Sequence, residues 1–221
     1  MASLPATSPL ASLRLRSPSE WDWIRCLDVA LALAALAFIL PLLLLVAVAI
    51  RSTSKGPVLF IHKRIGRNGE VFGCCKFRTM QVDADRRLAE LLERDPQARD
   101  EWQGSQKLRK DPRITAIGHF LRRSSIDELP QLYNVLNGTM SWVGPRPIVH
   151  SEITRYGHHF SHYCQVRPGI TGLWQVSGRS NTSYRRRVAM DVVYIRRRTM
   201  MLNGMIMART LPAVLLQRGS C

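Results

Sequence analysis

From Val29 to Ile50 the chain carries no charged or strongly polar side chain. As a helix this block would be about 33 Å long, enough to cross a hydrocarbon core of roughly 30 Å. A helix apolar on every side for that length belongs in a membrane rather than in the core of a small soluble domain. Pro41 stands in its middle, where it removes a backbone hydrogen bond and predicts a break at Leu40-Pro41. Arg25 precedes the block and Arg51, Lys55, Lys63 and Arg64 follow it, so both flanks favour the cytoplasmic side. A re-entrant helix that enters, breaks and returns to the same face satisfies both observations; a kinked span is the alternative.

After the apolar block the period shortens. Residues 57–61 and 70–78 alternate as strands, and Arg67-Asn68-Gly69 between them supplies the turn of a hairpin. Alternation places Phe72, Cys74, Lys76 and Arg78 on one face of the second strand. Helical spacing returns at Val82 to Leu92, with Arg86 and Glu90 at i, i+4. The polar stretch from there to Lys110 contains Pro96 and reads as a solvated excursion. Residues 111–115 turn back into ordered structure, and Ile117 to Arg123 leads into an acidic segment. Tyr184 to Leu202 reads as one helix whose apolar face is Val188, Asp191, Val192 and Ile195. The Met- and Leu-rich tail from Met200 to Leu216, interrupted by Pro212, predicts helices lying at a membrane interface. The expected fold is α+β and mainly helical, with a disordered tail over 1–24, the membrane helix over 25–52 and a catalytic domain over 53–221. The tail, rich in Ser, Pro and Ala over its first 19 residues, lacks the layout of a signal peptide.

Charge sharpens this picture. Thirty-two lysines and arginines against 16 acids give a net charge of +16, all of the excess lying after Ile50. Past Glu128 the only acids are Glu152 and Asp191. Such a surface expects an anionic partner: nucleic acid, anionic lipid or a phosphorylated substrate. The five cysteines show no C-x-x-C and read as reduced thiols. His158 and His162 could form an i, i+4 pair, but no acidic or cysteine ligand sits beside them.

Candidate chemistry centres on Ser125-Ile126-Asp127-Glu128. Ser125 and Glu128 have capping-box spacing, which predicts a helix start with both carboxylates in its first turn. Acids there usually only cap a helix, although the same end also favours phosphate. Lys76 and Arg78 on one strand face could be solvated or could grip a diphosphate. Arg146, held between Pro145 and Pro147, is stiffened as a planar phosphate-binding group would be. The loops carrying Arg167 and Arg179 are Gly-rich and suited to a nucleotide. Asp191 on an apolar face needs a partner, an arginine or a metal-bound phosphate. Arg185–Arg187 and Arg196–Arg198 lie three helical turns apart and would face an anionic leaflet.

Five motifs in order, Lys76-Phe77-Arg78-Thr79-Met80, Asp111-Pro112-Arg113, Asp127-Glu128-Leu129-Pro130-Gln131-Leu132, Gly144-Pro145-Arg146-Pro147 and Arg167-Pro168-Gly169-Ile170-Thr171-Gly172, resemble the bacterial sugar transferases. These are the monotopic phosphoglycosyl transferases, and the chain looks like their exopolysaccharide-initiating, galactosyl-phosphate (ExoY-type) members, without the extra N-terminal spans of larger relatives. The resemblance implies transfer of a sugar 1-phosphate from a UDP-sugar to undecaprenyl phosphate with release of UMP, at the cytoplasmic face of the bacterial inner membrane. It implies Asp127 as nucleophile, Glu128 (with Asp127) holding Mg²⁺, and Lys76, Arg78, Arg122 and Arg146 around the phosphates. Anionic membrane lipids are further implied partners, and a homodimer is allowed. Relatives often carry a small polar residue before the proline where this chain has Leu40. A nucleic-acid binder would leave Val29–Ile50 unexplained, so nucleic acid is not an expected partner. A non-catalytic membrane scaffold would need none of the Asp127, Lys76 and Arg146 chemistry.

Overall fold

A computed structural model describes residues 18–105, 108–109, 111–178 and 182–215. The apolar block forms α1 (Pro18–Thr53). Contrary to the expected break, the helix runs on through Pro41. Proline deletes one donor, toward the carbonyl four residues earlier, and the surrounding apolar turns keep the rest of the ladder. One helix, Trp23–Thr53, is long and apolar enough to cross a membrane. Its outer face leaves Leu33, Phe38, Leu44, Leu45 and Val48 exposed.

The inner face of α1 is packed. Strands β1 (Leu59–Ile65) and β2 (Val71–Phe77) form the expected hairpin, in antiparallel register from Leu59 opposite Phe77 to Ile65 opposite Val71. Asn68 (φ 59°) and Gly69 (φ 77°) take the left-handed conformations that the tight turn requires. Next come α2 (Ala84–Arg94) and α3 (Pro96–Ser105). The second of these replaces the expected excursion: Asp95 Oδ1 accepts from the backbone N–H of Gln97 and Ala98, so Pro96 starts a helix instead of preventing one. Helix α4 (Ala116–Ser124) is capped by the Thr115 hydroxyl on Gly118 N–H at 3.0 Å.

A 3₁₀ turn (Ile126–Glu128) joins α4 to α5 (Gln131–Leu136). Ala32, Ala35, Leu36 and Ile39 of α1 meet Phe72, Cys74, Leu132 and Val135 in one core cluster. Farther along α1, Leu43, Val46, Ala47 and Ile50 meet Phe77, Ile117, Leu121 and Ile126 in a second. Asn134, buried on α5, accepts from Cys75 N–H at 2.8 Å and donates to Gly73 O at 2.7 Å, which satisfies the open edge of β2. At the other end Arg25 donates to the carbonyls of Val135 and Leu136, capping α5. Asp28 accepts from the Ser141 hydroxyl and the Trp142 N–H.

Strand β3 (Ser141–Val143) leads through α6 (Ile153–Tyr156) and α7 (Phe160–Tyr163) to β4 (Gly169–Thr171), which pairs with β3 in parallel. Short α8 (Leu173–Ser177) precedes α9 (Tyr184–Arg197) and α10 (Met200–Leu215). The helix expected to reach Leu202 ends instead at Arg198 (ψ 121°), because the Thr199 hydroxyl caps Leu202 N–H and starts α10. The interruption expected at Pro212 is likewise a proline inside α10. Cys26, Cys74, Cys75 and Cys164 are free thiols.

Candidate active site

Strand β2 and the loop after β3 meet over the turn that carries the two acids. The capping box does not form: Ser125 adopts a left-handed conformation (φ 59°) at the end of α4 and makes no side-chain cap. Asp127 and Glu128 therefore lie in the linking 3₁₀ turn, and Pro130 precedes α5. Successive residues there point apart by about 120°. Glu128 turns into a cleft with Arg64, Cys74, Lys76, Gln131, Arg146, Pro147, Gly169, Ile170 and Gln175. Asp127 turns inward and is 8% exposed.

Lys76 Nζ donates to Glu128 Oε1 at 2.6 Å. Burial would raise the Glu128 carboxyl, but Lys76, Arg146 and Arg64 outweigh it and hold it below its ordinary value. Asp127 moves the other way. Burial pushes it up to about 6, against the pull of Lys76 and Arg122 and with the push of Glu128. The two neighbouring acids are thus driven in opposite directions. The same positive field acts on His62, lowered by burial and then by Arg64, Lys76 and Arg146.

Arg146 makes no hydrogen bond to the described residues, and its guanidinium lines the cleft. Arg64 holds the loop that carries it, donating to Pro147 O at 3.0 Å. The parallel pairing sets the loop's position: Gly144 N–H donates to Thr171 O and Gly169 N–H to Pro145 O. At both glycines the two backbones approach so closely that a Cβ on Gly144 would lie 2.5 Å from Arg167 O.

The structure separates the expected phosphate-binding residues. Lys76 and Arg146 are in the cleft. Arg122 stands on the Asp127 side, with Nε donating to Thr79 Oγ1 at 2.9 Å. Arg78 leaves the group: it lies past the end of β2, where the strand twist turns it onto Ser54 O and Oγ. Arg167 also leaves it, donating to Gly138 O at 2.7 Å beyond the end of α5. Arg179 lies outside the described residues. Among the described residues no group of three or more His, Cys, Asp and Glu side chains is placed to hold a metal. The His159 ring meets His158 at a tilt and His162 edge-on.

Asp191 is a core residue. It is 1% exposed, and its Oδ2 accepts from the Tyr156 hydroxyl at 2.7 Å, with no arginine paired to it among the described residues. Burial raises its carboxyl to about 7. The folded state therefore binds a proton that the unfolded chain, titrating near 3.8, releases. The associated stability is complete below about pH 4 and lost as pH rises through about 7. Asp191→Asn is expected to remove that decline, on the order of 3 kcal/mol, and a set of urea melts at pH 4 to 8 would read it. A wild-type profile that stays level would contradict this.

Sequence reasoning missed Arg64, Cys74, Gln131 and Gln175 as cleft residues. The hairpin held the signal for the first two. Paired residues of antiparallel strands share a face, so Arg64 opposite Phe72 and His62 opposite Cys74 lie on the Lys76 face.

The sequence matches a known family and several of its members. The profile of the family described as bacterial sugar transferase matches residues 20–217. The exopolysaccharide production protein ExoY of Sinorhizobium fredii is 45% identical over 196 residues, 89% of this chain and 87% of that protein. The undecaprenyl-phosphate galactose phosphotransferase of Salmonella typhimurium is 48% identical over 165 residues, 75% of this chain and 35% of that protein. The UDP-glucose:undecaprenyl-phosphate glucose-1-phosphate transferase of Xanthomonas campestris is 41% identical over 177 residues, 76% of this chain and 34% of that one. The chain thus spans about a third of the length of the last two relatives. With the family profile matched from Glu20 to Gln217 and one relative aligned along nearly its full length, the chain belongs to the bacterial sugar transferases.

Proposed function

We propose that the chain transfers a hexose 1-phosphate from a UDP-sugar to undecaprenyl phosphate, releasing UMP, as the first membrane step of exopolysaccharide synthesis. The carrying observation is the cleft in which Arg64, Lys76 and Arg146 face one accessible carboxylate, Glu128, with Asp127 buried behind it. Phosphoryl transfer is limited mainly by charge, and three cations beside one acid suit an incoming diphosphate. The named relatives act on galactose and glucose derivatives, so one of these two hexoses is the proposed cargo.

In the proposed chemistry a carboxylate oxygen of Asp127 attacks the β-phosphorus of the UDP-sugar. The bond from that phosphorus to the bridging oxygen breaks, and UMP leaves with the oxygen and the electron pair. A phosphate oxygen of the lipid then attacks the same phosphorus, and the bond to Asp127 breaks to regenerate the carboxylate. A carboxyl raised to about 6 is still ionised at neutral pH and is more basic than a solvated one. In this scheme Lys76, hydrogen-bonded to Glu128 and felt by Asp127, passes to the phosphate that enters between it and Arg146. Glu128, with Asp127 beside it, would hold Mg²⁺. Glu128, the carboxylate that lines the cleft, fits an ion that takes most of its shell from water and substrate phosphates. When bound, that ion would supply charge neutralisation to the substrate diphosphate as UMP departs.

The placement of α1 supports a one-sided membrane position. Its inner face is packed on the hairpin, α4 and α5 from Ala32 to Ile50, and its outer face is exposed and apolar. An upright span would drag the charged cleft into hydrocarbon beside it. A helix sunk from one face, with its basic flanks in the cytoplasm, avoids that cost. Arginines on the exposed face of α9 would add attraction to anionic lipids.

One experiment tests both chemistry and placement. Labelled UMP is expected to exchange into UDP-galactose or UDP-glucose with the purified protein in detergent and no lipid acceptor and, in membranes, with inverted vesicles and not with sealed right-side-out ones. Exchange that strictly requires the lipid would remove the covalent intermediate, and exchange from the outer face would remove the proposed orientation.

A further inference from the structure

The cleft contains an acceptor that phosphate cannot satisfy. Gln175, in α8, donates from Nε2 to Ile170 O at 3.3 Å. That bond fixes the amide's orientation, because a carbonyl oxygen can receive only from the nitrogen. Oε1 is consequently turned away from Ile170, buried, and without a hydrogen-bond partner among the described residues. The side chain is also confined: a Cβ on Gly172 would lie 3.1 Å from Oε1, and the neighbouring Trp174 is buried beneath the Arg187 guanidinium. A buried acceptor left unmatched in a confined place disfavours the fold unless a ligand brings the donor.

Phosphate oxygens are themselves acceptors, and Arg64, Lys76 and Arg146 in the same cleft draw them. Whatever reaches Gln175 must carry an O–H or N–H and no negative charge at that point. We infer that Gln175 Oε1 accepts a hydrogen bond from an uncharged donor of the nucleotide sugar, a hexose hydroxyl or the uracil imide N–H, and so helps select the donor substrate. This rests on the proposed reading of the cleft as a UDP-sugar site.

The test is a substrate–side-chain cycle on the full-length chain in detergent or lipid nanodiscs. Wild type and Gln175→Met are compared with whichever of UDP-glucose and UDP-galactose wild type turns over, and with analogues lacking one donor each: the singly deoxygenated sugars and the N3-methyl uracil compound. One analogue is expected to lose about tenfold or more in kcat/KM against wild type and almost nothing against Gln175→Met. A deoxy sugar in that position identifies a hexose hydroxyl, and the N3-methyl compound identifies the base. Equal losses against both proteins overturn the inference, because a merely structural glutamine would lower every substrate alike. Should Gln175→Met fail to fold, Gln175→Leu replaces it, and a wild-type series with no outsized loss also overturns the inference. Absence of turnover with every UDP-hexose would instead overturn the proposed function on which it rests.

Discussion

Asp127→Asn is expected to abolish UMP release and UMP exchange, by roughly a thousandfold or more, while the protein folds and stays with the membrane. The two halves of that result come from the same burial. A carboxyl pushed up to about 6 is held partly against its own ionisation, so at neutral pH the charged form costs the folded state stability. Asparagine keeps the shape and carries no charge. The variant should therefore melt at or above the wild-type temperature, a dead enzyme in a sound fold. Turnover within tenfold of wild type would remove Asp127 as the nucleophile. A large fall in melting temperature would show that its charge is structural. Glu128, paired with Lys76 and 24% exposed at its side chain, offers no such separation, because removing it also frees a lysine in the cleft.

Gly169→Ala is expected to have the largest effect on stability. A Cβ there would lie 2.0 Å from Gly144 N, 2.5 Å from Thr171 O and 2.6 Å from the Val143 carbonyl carbon, all of them main-chain atoms. Side chains can rotate away from an intruding methyl, but paired backbones cannot without parting β3 from β4. The cost should exceed about 3 kcal/mol, a fall in melting temperature of roughly 10 °C or more by fluorescence-monitored melting in detergent. Gly204→Ala is the control: nothing lies within 4 Å of its added carbon, and it should melt within about 2 °C of wild type. If both variants melt together, the close crossing of these strands does not limit stability.

Periodicity made the long apolar helix, the hairpin and the amphipathic α9 legible, because each repeats a local rule over many residues. Single-residue decisions were not legible in the same way. Ser125 and Glu128 have the spacing of a capping box, yet the left-handed Ser125 that ends α4 leaves no room for one. Pro41 is a breaker by local rule and is carried within α1, whose inner face is packed along its length. The arginines show the limit most clearly. Lys76 and Arg78 alternate onto one face, but only the three-dimensional path sends one to Glu128 and the other to Ser54. Arg167 follows the same logic, since its motif marks Gly169 of β4 while its side chain donates to Gly138 O in the turn after α5. Asn134 carries no chemistry of its own, and its service to β2 follows from an edge whose open side no local pattern reveals.

The packed inner face of α1 bears on how the enzyme comes into being. Two core clusters, one around Leu132 and Val135 and one around Phe77 and Leu121, each take several residues from that helix. The membrane segment is thus a wall of the catalytic unit, not a tether to it. Cutting it away would strip both clusters of apolar cover and leave the acid-bearing turn unsupported on the side opposite the cleft. Insertion and folding must then finish together, and a water-soluble enzyme cannot be reached by trimming the anchor alone.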